Sequence, residues 1–145
     1  GAAPFGPART TRKGEVKSMK IVAPRYAGTN KGHYSPGVIS NGMLYISGQL
    51  SVDPDTRALP EGGIAAHAAL ALKNVERVLK EAGLTRNDVV QCRVYVTDVA
   101  LWDEVNAVYA EFFGSHRPAR IVVPVPALHF GCMVEIEAVA EVHAS

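Results

Sequence analysis

The sequence predicts an α+β fold in which two helices cover one face of a mixed β-sheet. Alternating apolar and polar residues mark the strands, and apolar residues that recur at every third or fourth position mark two helices. The segments follow one another as β, ββ, α, β, α, β, β. Because a chain of 145 residues is long enough to build one hydrophobic core, we expect a single two-layer domain.

Composition argues against several classes of protein. With 48% hydrophobic and 20% charged residues the chain is not of the disordered type, and it lacks the run of about 18 apolar residues that a membrane-spanning helix requires. Its two cysteines, Cys92 and Cys132, have no CxxC or His/Cys ligand spacing, which argues against a disulfide scaffold and a zinc site. We therefore expect a protein of a reducing compartment, the cytoplasm, that does not bind membranes.

Residues 1 to 18 differ from the rest of the chain. They are rich in Gly, Pro and basic residues and have no hydrophobic periodicity, so we expect a flexible basic segment or a vector-derived remnant, with the domain spanning residues 19 to 145. A native leader here would instead direct the protein to mitochondria. Residues 1 to 23 carry five basic residues and one acidic residue, whereas the remainder carries ten basic and thirteen acidic residues. This acidic body argues against a nucleic-acid-binding surface.

The first three predicted strands include a hairpin. Residues 19 to 24 (MKIVAP) form an apolar strand candidate, and residues 37 to 52 contain two apolar runs joined at Asn41 and Gly42. An Asn-Gly pair between two such runs is the strongest short-range signal for a β-hairpin. Inside the second strand of this hairpin, Gly48 indicates a β-bulge, a close approach of a ligand to the backbone, or tight packing.

Two amphipathic helices follow the hairpin at separate places in the chain. Between Gly63 and Gly83 apolar residues recur at spacings of three and four, and Gly83 is a suitable C-terminal cap. Asp98 can cap the second helix, which ends before Gly114. The predicted buried stripe of this second helix consists of Leu101, Trp102, Val105, Val108, Tyr109 and Phe112.

The remaining strands are predicted at residues 89 to 99, 121 to 125 and 132 to 142. One set of alternating residues, including Val90 and Cys92, is apolar and suited to packing against the helices. The opposite set combines Met and Tyr side chains with isolated charges. Such a sheet face is typical of an oligomer interface with embedded sites, and equally of a solvated surface.

A few polar residues are candidates for chemistry. Arg120 lies at the start of a valine-rich strand, where its guanidinium needs an anionic partner, and a salt bridge to Glu135 or Glu137 is the favoured explanation. Glu135, Glu137 and Glu141 share one face of the last strand and are either exposed carboxylates or include a catalytic acid or base. The five histidines have no metal-ligand spacing and no nucleotide-binding glycine motif is present, so we expect neither a metal nor a nucleotide cofactor.

Six segments in this order resemble the YjgF/RidA family, and the resemblance covers residues 19 to 145. They are Gly32-His33-Tyr34-Ser35, Ile46-Ser47-Gly48-Gln49, Leu79 to Leu84, Val105 to Tyr109 with Phe112 and Phe113, Arg117-Pro118-Ala119-Arg120, and Val134 to Ala140. The resemblance implies a chorismate-mutase-like fold. It also implies a homotrimer whose sheets form a central β-barrel, with clefts between the subunits.

The same resemblance implies hydrolysis of reactive enamines and imines, such as 2-aminoacrylate and 2-imino acids, to 2-keto acids and ammonia. This is the activity of a 2-iminobutanoate/2-iminopropanoate deaminase, which requires no metal or organic cofactor. Matched residue by residue, Arg120 binds the substrate carboxylate and Glu135 orients or deprotonates a water molecule. The implied substrate-binding positions are Tyr34, Ser47, Gly48, Asn106 and the backbone of Val122.

The chain also departs from the family pattern. Val122 replaces a frequent cysteine, His33 and Pro36 change a segment that usually reads Gly-Pro-Tyr-Ser-Gln, and His129 and Phe130 alter the loop before the last strand. Two other functions therefore stay open. One is a non-catalytic trimeric module that binds keto acids; the other is the endoribonuclease or translation-inhibitor activity often attached to the family, which the acidic body disfavours.

Overall fold

Residues 18 to 143, which the computed structural model describes, contain six strands and two helices in the predicted order, so the α+β class is confirmed. The flexible segment predicted for residues 1 to 18 lies, apart from Ser18, outside the described residues. The elements are β1 (Lys20–Val22), β2 (Gly37–Ser40), β3 (Met43–Leu50), α1 (Ile64–Glu81), β4 (Val89–Val96), α2 (Trp102–Phe113), β5 (Ala119–Pro124) and β6 (Val134–Glu141).

The six strands form one mixed sheet in the order β1-β2-β3-β6-β4-β5. All neighbouring strands are antiparallel except β4 and β5, which are parallel and are connected through α2. The last strand of the chain, β6, thus lies between β3 and β4, and β5 forms an outer edge. Neither helix within residues 18 to 143 is long and apolar enough to span a membrane.

Local sequence signals produce the turns and caps that the sequence predicted. Asn41 and Gly42 have φ of 52° and 76°, the left-handed pair that a tight hairpin turn requires. Gly83, at φ 75°, follows the last turn of α1, where Leu84 N donates to Leu79 O at 2.8 Å. This is a Schellman C-cap. Asp98 Oδ1 accepts a 2.9 Å hydrogen bond from Ala100 N and so caps the short 3-10 turn that leads into α2.

Both helices pack on one face of the sheet around a single hydrophobic core. Two predictions about this core are wrong. Val90 is 44% exposed while Val89 is buried. The register of β4 and β6 shifts at this point, which moves the alternation of buried and exposed side chains by one residue. Trp102 is 38% exposed, and the buried stripe of α2 consists of Val105, Tyr109 and Phe113.

Two polar side chains on the buried face of α1 bind the end of β3 and the residues that follow it. Asn74 Nδ2 donates hydrogen bonds of 2.9 Å to the carbonyl oxygens of Leu50 and Val52. His67 Nδ1 lies 2.6 Å from Ser51 Oγ, and both residues are buried. Burial lowers the pKa of His67, which favours its neutral form. These bonds hold the end of β3 against the helix and leave its bulged middle to form one wall of a cleft.

Candidate active site

Arg120 lies in the edge strand β5, and its side chain is directed towards α2. It is in register with Cys92, which is fully buried on the helix-covered face. Arg120 Nη1 donates a 2.8 Å hydrogen bond to Oδ1 of Asn106. The guanidinium carbon lies 4.8 Å from the centre of the Tyr109 ring and 5.3 Å from that of Trp102, both within cation–π range. An amide and two aromatic rings of one helix therefore hold the guanidinium in place.

No carboxylate within residues 18 to 143 forms an ion pair with Arg120, so the predicted salt bridge to Glu135 or Glu137 is wrong. Glu137 instead accepts a 2.7 Å hydrogen bond from the Tyr95 hydroxyl and lies 3.6 Å from Nη1 of Arg93. A guanidinium has five N–H donors in a planar fork, and the amide acceptor occupies only one of them. The others are suited to bind a carboxylate through two parallel hydrogen bonds.

Val122 lies two residues beyond Arg120 on the same face of β5. It is in register with Val94 and packs half-buried against the core. Because β5 is at the edge of the sheet, one side of its backbone has no neighbouring strand within residues 18 to 143. That side is free to bind a ligand or a second chain.

Glu135 of β6 lies against Gly48 of β3 on the other face of the sheet. The pairing of β3 with β6 shifts register between Ile46 and Gln49, which places a bulge at Gly48. A Cβ atom on residue 48 would lie 2.8 Å from Oε2 of Glu135. Of the explanations that the sequence left open for this glycine, the bulge and the tight packing are therefore observed, and the group packed against it is a protein carboxylate.

Two hydrogen bonds from Ser47 hold the segment that carries Tyr34. The Ser47 hydroxyl donates a 2.6 Å hydrogen bond to the carbonyl oxygen of Ser35, and its backbone N–H donates a 2.9 Å bond to that of Pro36. Tyr34 is 52% exposed, and its hydroxyl accepts a hydrogen bond from the side-chain amide of Asn30. The Ser47 hydroxyl is thus committed to the backbone and retains only acceptor capacity towards a ligand.

Tyr34, Ser47, Gly48 and Glu135 line one cleft with a volume of about 1280 Å³. Burial raises the pKa of Glu135, and the negative charge of Glu137 raises it further, while His129 opposes the shift. A carboxyl with a raised pKa inside a cleft is suited to accept and release a proton. No group of three or more His, Cys, Asp or Glu side chains within residues 18 to 143 is arranged to hold a metal ion.

Arg120 and Glu135 lie on opposite faces of the sheet. Glu135 is in register with Tyr95 and Arg120 with Cys92, two residues of β4 at an odd separation along the strand. Side chains at odd separation point to opposite faces. Within one chain these two residues therefore cannot contact the two ends of a small substrate. A site that contains both requires two copies of the chain.

Sequence reasoning missed the two aromatic partners of Arg120. Trp102, Asn106 and Tyr109 are separated by four and three residues, which places them on one face of α2. This spacing was an available signal, but it also fits a buried apolar stripe. The contact with Arg120 depends on where β5 lies relative to α2, which periodicity does not reveal.

Comparison with known proteins assigns the chain to a family. A family model described as endoribonuclease L-PSP matches residues 26 to 142. A RutC family protein of Aquifex aeolicus is 39% identical over 128 residues, which covers 87% of this chain and 97% of the relative. The human 2-iminobutanoate/2-iminopropanoate deaminase is 42% identical over 109 residues, which covers 75% of this chain and 80% of the relative.

Solved structures agree with this assignment. The match to the YjgF gene product from E. coli has a TM-score of 0.78 at 38% identity. It covers 84% of this chain and 98% of the E. coli chain. The match to E. coli TdcF, solved with bound serine, has a TM-score of 0.79 at 34% identity. It covers 86% of this chain and 99% of the TdcF chain. With the family model matched over nearly the whole described domain, the chain belongs to the endoribonuclease L-PSP family, the YjgF/RidA family that its motifs resemble.

Proposed function

We propose that this protein is a hydrolase that deaminates 2-imino acids and their enamine tautomers to 2-keto acids and ammonia. The observation that carries the proposal is the Arg120 guanidinium, which α2 holds in place and which has no carboxylate partner within residues 18 to 143. An arginine in this state is suited to bind a substrate carboxylate. The name of the human and bovine relatives, 2-iminobutanoate/2-iminopropanoate deaminase, supports the same substrate class.

The proposed active site lies between two subunits of a homotrimer, where Arg120 of one copy faces Glu135 of the next. The opposite faces that these residues occupy in one chain support this arrangement. The sheet face opposite the helices carries Tyr45, 51% exposed and in register with Val139, and the edge strand carries Ile121, also 51% exposed. Exposed apolar side chains on a sheet face and at its edge are suited to burial against another copy.

In the proposed reaction, Arg120 fixes the substrate carboxylate and so holds the imine carbon beside Glu135. Glu135 takes a proton from a water molecule as the water oxygen attacks this carbon. The same carboxyl returns the proton to the nitrogen, and the resulting carbinolamine collapses to the 2-keto acid with loss of ammonia. The imine carbon is already electrophilic, so the proposed steps use only the groups of the protein and water.

The test uses 2-imino acids generated in situ by an amino-acid oxidase, with semicarbazide as a competing trap. We expect the wild type to accelerate release of the 2-keto acid, and Arg120→Ala to lose this acceleration while eluting at the wild-type size. Arg117→Ala is the matched control, because it removes an exposed arginine from the same segment. Acceleration that survives in Arg120→Ala contradicts the proposal. So does a wild type that accelerates no small, branched or aromatic imine.

The alternative functions give different results with the same protein. A non-catalytic keto-acid module shows a rise in melting temperature with keto acids and no turnover. An endoribonuclease cleaves RNA, an activity that the excess of acidic over basic residues in positions 24 to 145 disfavours. RNA affinity that disappears on deletion of residues 1 to 18 belongs to that basic segment and not to the fold.

A further inference from the structure

Four residues that line the cleft do not contact the substrate in the proposed reaction. They are Arg57, Leu59, His129 and Phe130, which we call the rim cluster, and all four line the same cleft as Glu135. Phe130 is 56% exposed and Leu59 is 42% exposed. Large apolar side chains that remain open inside a concave site are suited to bind the apolar surface of a ligand.

Two members of the rim cluster, Arg57 and His129, contact a third, Phe130. The guanidinium carbon of Arg57 lies 5.7 Å from the centre of the Phe130 ring, and the centre of the His129 ring lies 3.7 Å from it. A Cβ atom on Gly131 would lie 4.0 Å from Cδ1 of Leu59, so the leucine lies beside the turn that carries Phe130. Phe130 is therefore packed between Arg57 and His129, and Leu59 lies beside the turn that carries it.

Two members of the cluster are held in a backbone conformation that side chains rarely adopt. The φ angle is 65° at Arg57 and 61° at Phe130. Arg57 N donates a 2.8 Å hydrogen bond to the carbonyl oxygen of Asp53, whose carboxylate accepts bonds from the backbone N–H groups of Asp55 and Thr56. Strained residues of this kind persist where the surrounding structure holds them, and they are concentrated at ligand sites.

The lining of the cleft indicates which side chain fits there. Two cations, Lys31 and Arg57, line the cleft beside its two carboxylates, so its charge gives no net preference for an acidic or a basic side chain. The large apolar side chains of Phe130 and Leu59 are exposed within it. An apolar substrate side chain can bury this surface, whereas the methyl group of a three-carbon imino acid covers little of it.

We propose that the rim cluster binds the substrate side chain and favours 2-imino acids with branched aliphatic or aromatic side chains. This inference rests on the proposed deaminase function, which places the imine carbon beside Glu135. Phe130 and Leu59 contact the side chain of the substrate, while Arg57 and His129 hold the Phe130 ring in place. Phe130 is thus a specificity-determining residue.

The experiment compares wild type with Phe130→Asn, because asparagine tolerates the left-handed backbone while the apolar ring is lost. Met19→Asn is the control, since Met19 is 57% exposed and does not line the cleft. Rates are measured on imino acids made from alanine, leucine, phenylalanine and glutamate. Dissociation constants of phenylpyruvate and pyruvate are measured by calorimetry, which gives a readout that does not depend on turnover.

We expect the wild type to prefer the phenylalanine-derived over the alanine-derived imine by about tenfold or more, and Phe130→Asn to lose most of this ratio, as expected when a pocket loses apolar contact. The ratio of the two dissociation constants should change in parallel. A wild-type ratio near one, a ratio that Phe130→Asn leaves unchanged, or a preference for the glutamate-derived imine overturns the inference while deamination stands. If no imine is turned over but phenylpyruvate still binds more tightly through Phe130, the deaminase proposal fails and the side-chain subsite stands. If neither turnover nor selective binding is found, both fail.

Discussion

The Glu135 carboxylate lies so close to the backbone of Gly48 that a Cβ atom at position 48 would be 2.8 Å from Oε2. The bulge in β3 produces this contact, because it brings the strand backbone under the side chain that β6 directs into the cleft. The glycine leaves room for the carboxylate and sets its position. The proposed base is therefore held by a steric fit in addition to its electrostatic surroundings.

Replacing Gly48 with alanine should displace Glu135. We expect Gly48→Ala to lower imine hydrolysis on the order of 100-fold, because a shift of about 1 Å in a catalytic group has an effect of this size. The fold itself should lose little stability, because the nearest atoms are the end of a flexible side chain that can move aside. Gly63→Ala is the control, since a Cβ there meets nothing within 4 Å. Kinetics and denaturant unfolding of both variants check the prediction, and equal activity of the two would contradict it.

The raised pKa of Glu135 predicts that removing its charge lowers the activity of the protein but increases its stability. Glu135→Gln keeps the size of the side chain but cannot take a proton, so we expect turnover to fall by about 10²–10⁴-fold, the usual contribution of a general base. At neutral pH the same change should raise the melting temperature, because it removes a partly buried negative charge next to Glu137.

The pH dependence of this effect follows from the direction of the shift. Burial raises the pKa of Glu135 above its ordinary value of 4.5, so its contribution to stability is fully present below that value and is lost as pH rises through the folded-state pKa. The gain in melting temperature of Glu135→Gln should therefore be present at about pH 7 and disappear at about pH 4. Wild-type activity should fall as pH drops through the raised pKa. A gain that is equal at both pH values would contradict this account.

Local signals in the sequence were sufficient to predict the secondary structure. The hairpin turn at Asn41 and Gly42 and the cap at Gly83 follow from conformations that those residues adopt easily. The exposure of Val90 could not be predicted in this way, because it depends on a register shift between β4 and β6, which are far apart in the sequence. Non-local pairing decides the face on which such a residue lies.

The same limit explains the error at Arg120. The sequence placed Arg120 and Glu135 on strands but did not reveal that β4 separates those strands, or that the two side chains point to opposite faces. An ion pair was the simplest expectation for an arginine at the start of an apolar strand. The helix that connects β4 to β5 instead supplies the partners of the guanidinium.

An internal carboxylate beside Arg120 should compete with the substrate. Asn106→Asp places a negative charge within hydrogen-bond reach of the guanidinium, 2.8 Å in the present amide contact. We expect the KM for 2-imino acids and the Kd for pyruvate to rise by about tenfold, since an ion pair of this kind neutralises the group that binds the ligand. Asn106→Ala removes the hydrogen bond without adding charge and should have a smaller effect. Equal values for the two variants would show that Arg120 is not the carboxylate ligand.

The hydroxyl of Tyr109 is buried beside the Cys92 thiol and makes no hydrogen bond of good geometry with any described residue, although its ring supports Arg120. Burial also raises the pKa of this phenol, so the group stays neutral at any pH at which the fold is studied. Tyr109→Phe removes only the unpartnered oxygen, and we expect it to stabilise the fold by about 1 kcal/mol, because the cost of leaving a buried hydroxyl unsatisfied disappears.

Tyr109→Leu separates the role of the ring from that of the oxygen. It removes the aromatic face as well, and we expect it to destabilise the core and to raise the Kd for pyruvate more than Tyr109→Phe does, since the guanidinium loses a cation–π partner. Denaturant unfolding and calorimetry on the two variants measure both effects. If Tyr109→Phe destabilises the protein by as much as Tyr109→Leu, the hydroxyl has a partner and the ring does not act alone. If Tyr109→Leu leaves the Kd unchanged, Asn106 is sufficient to hold Arg120.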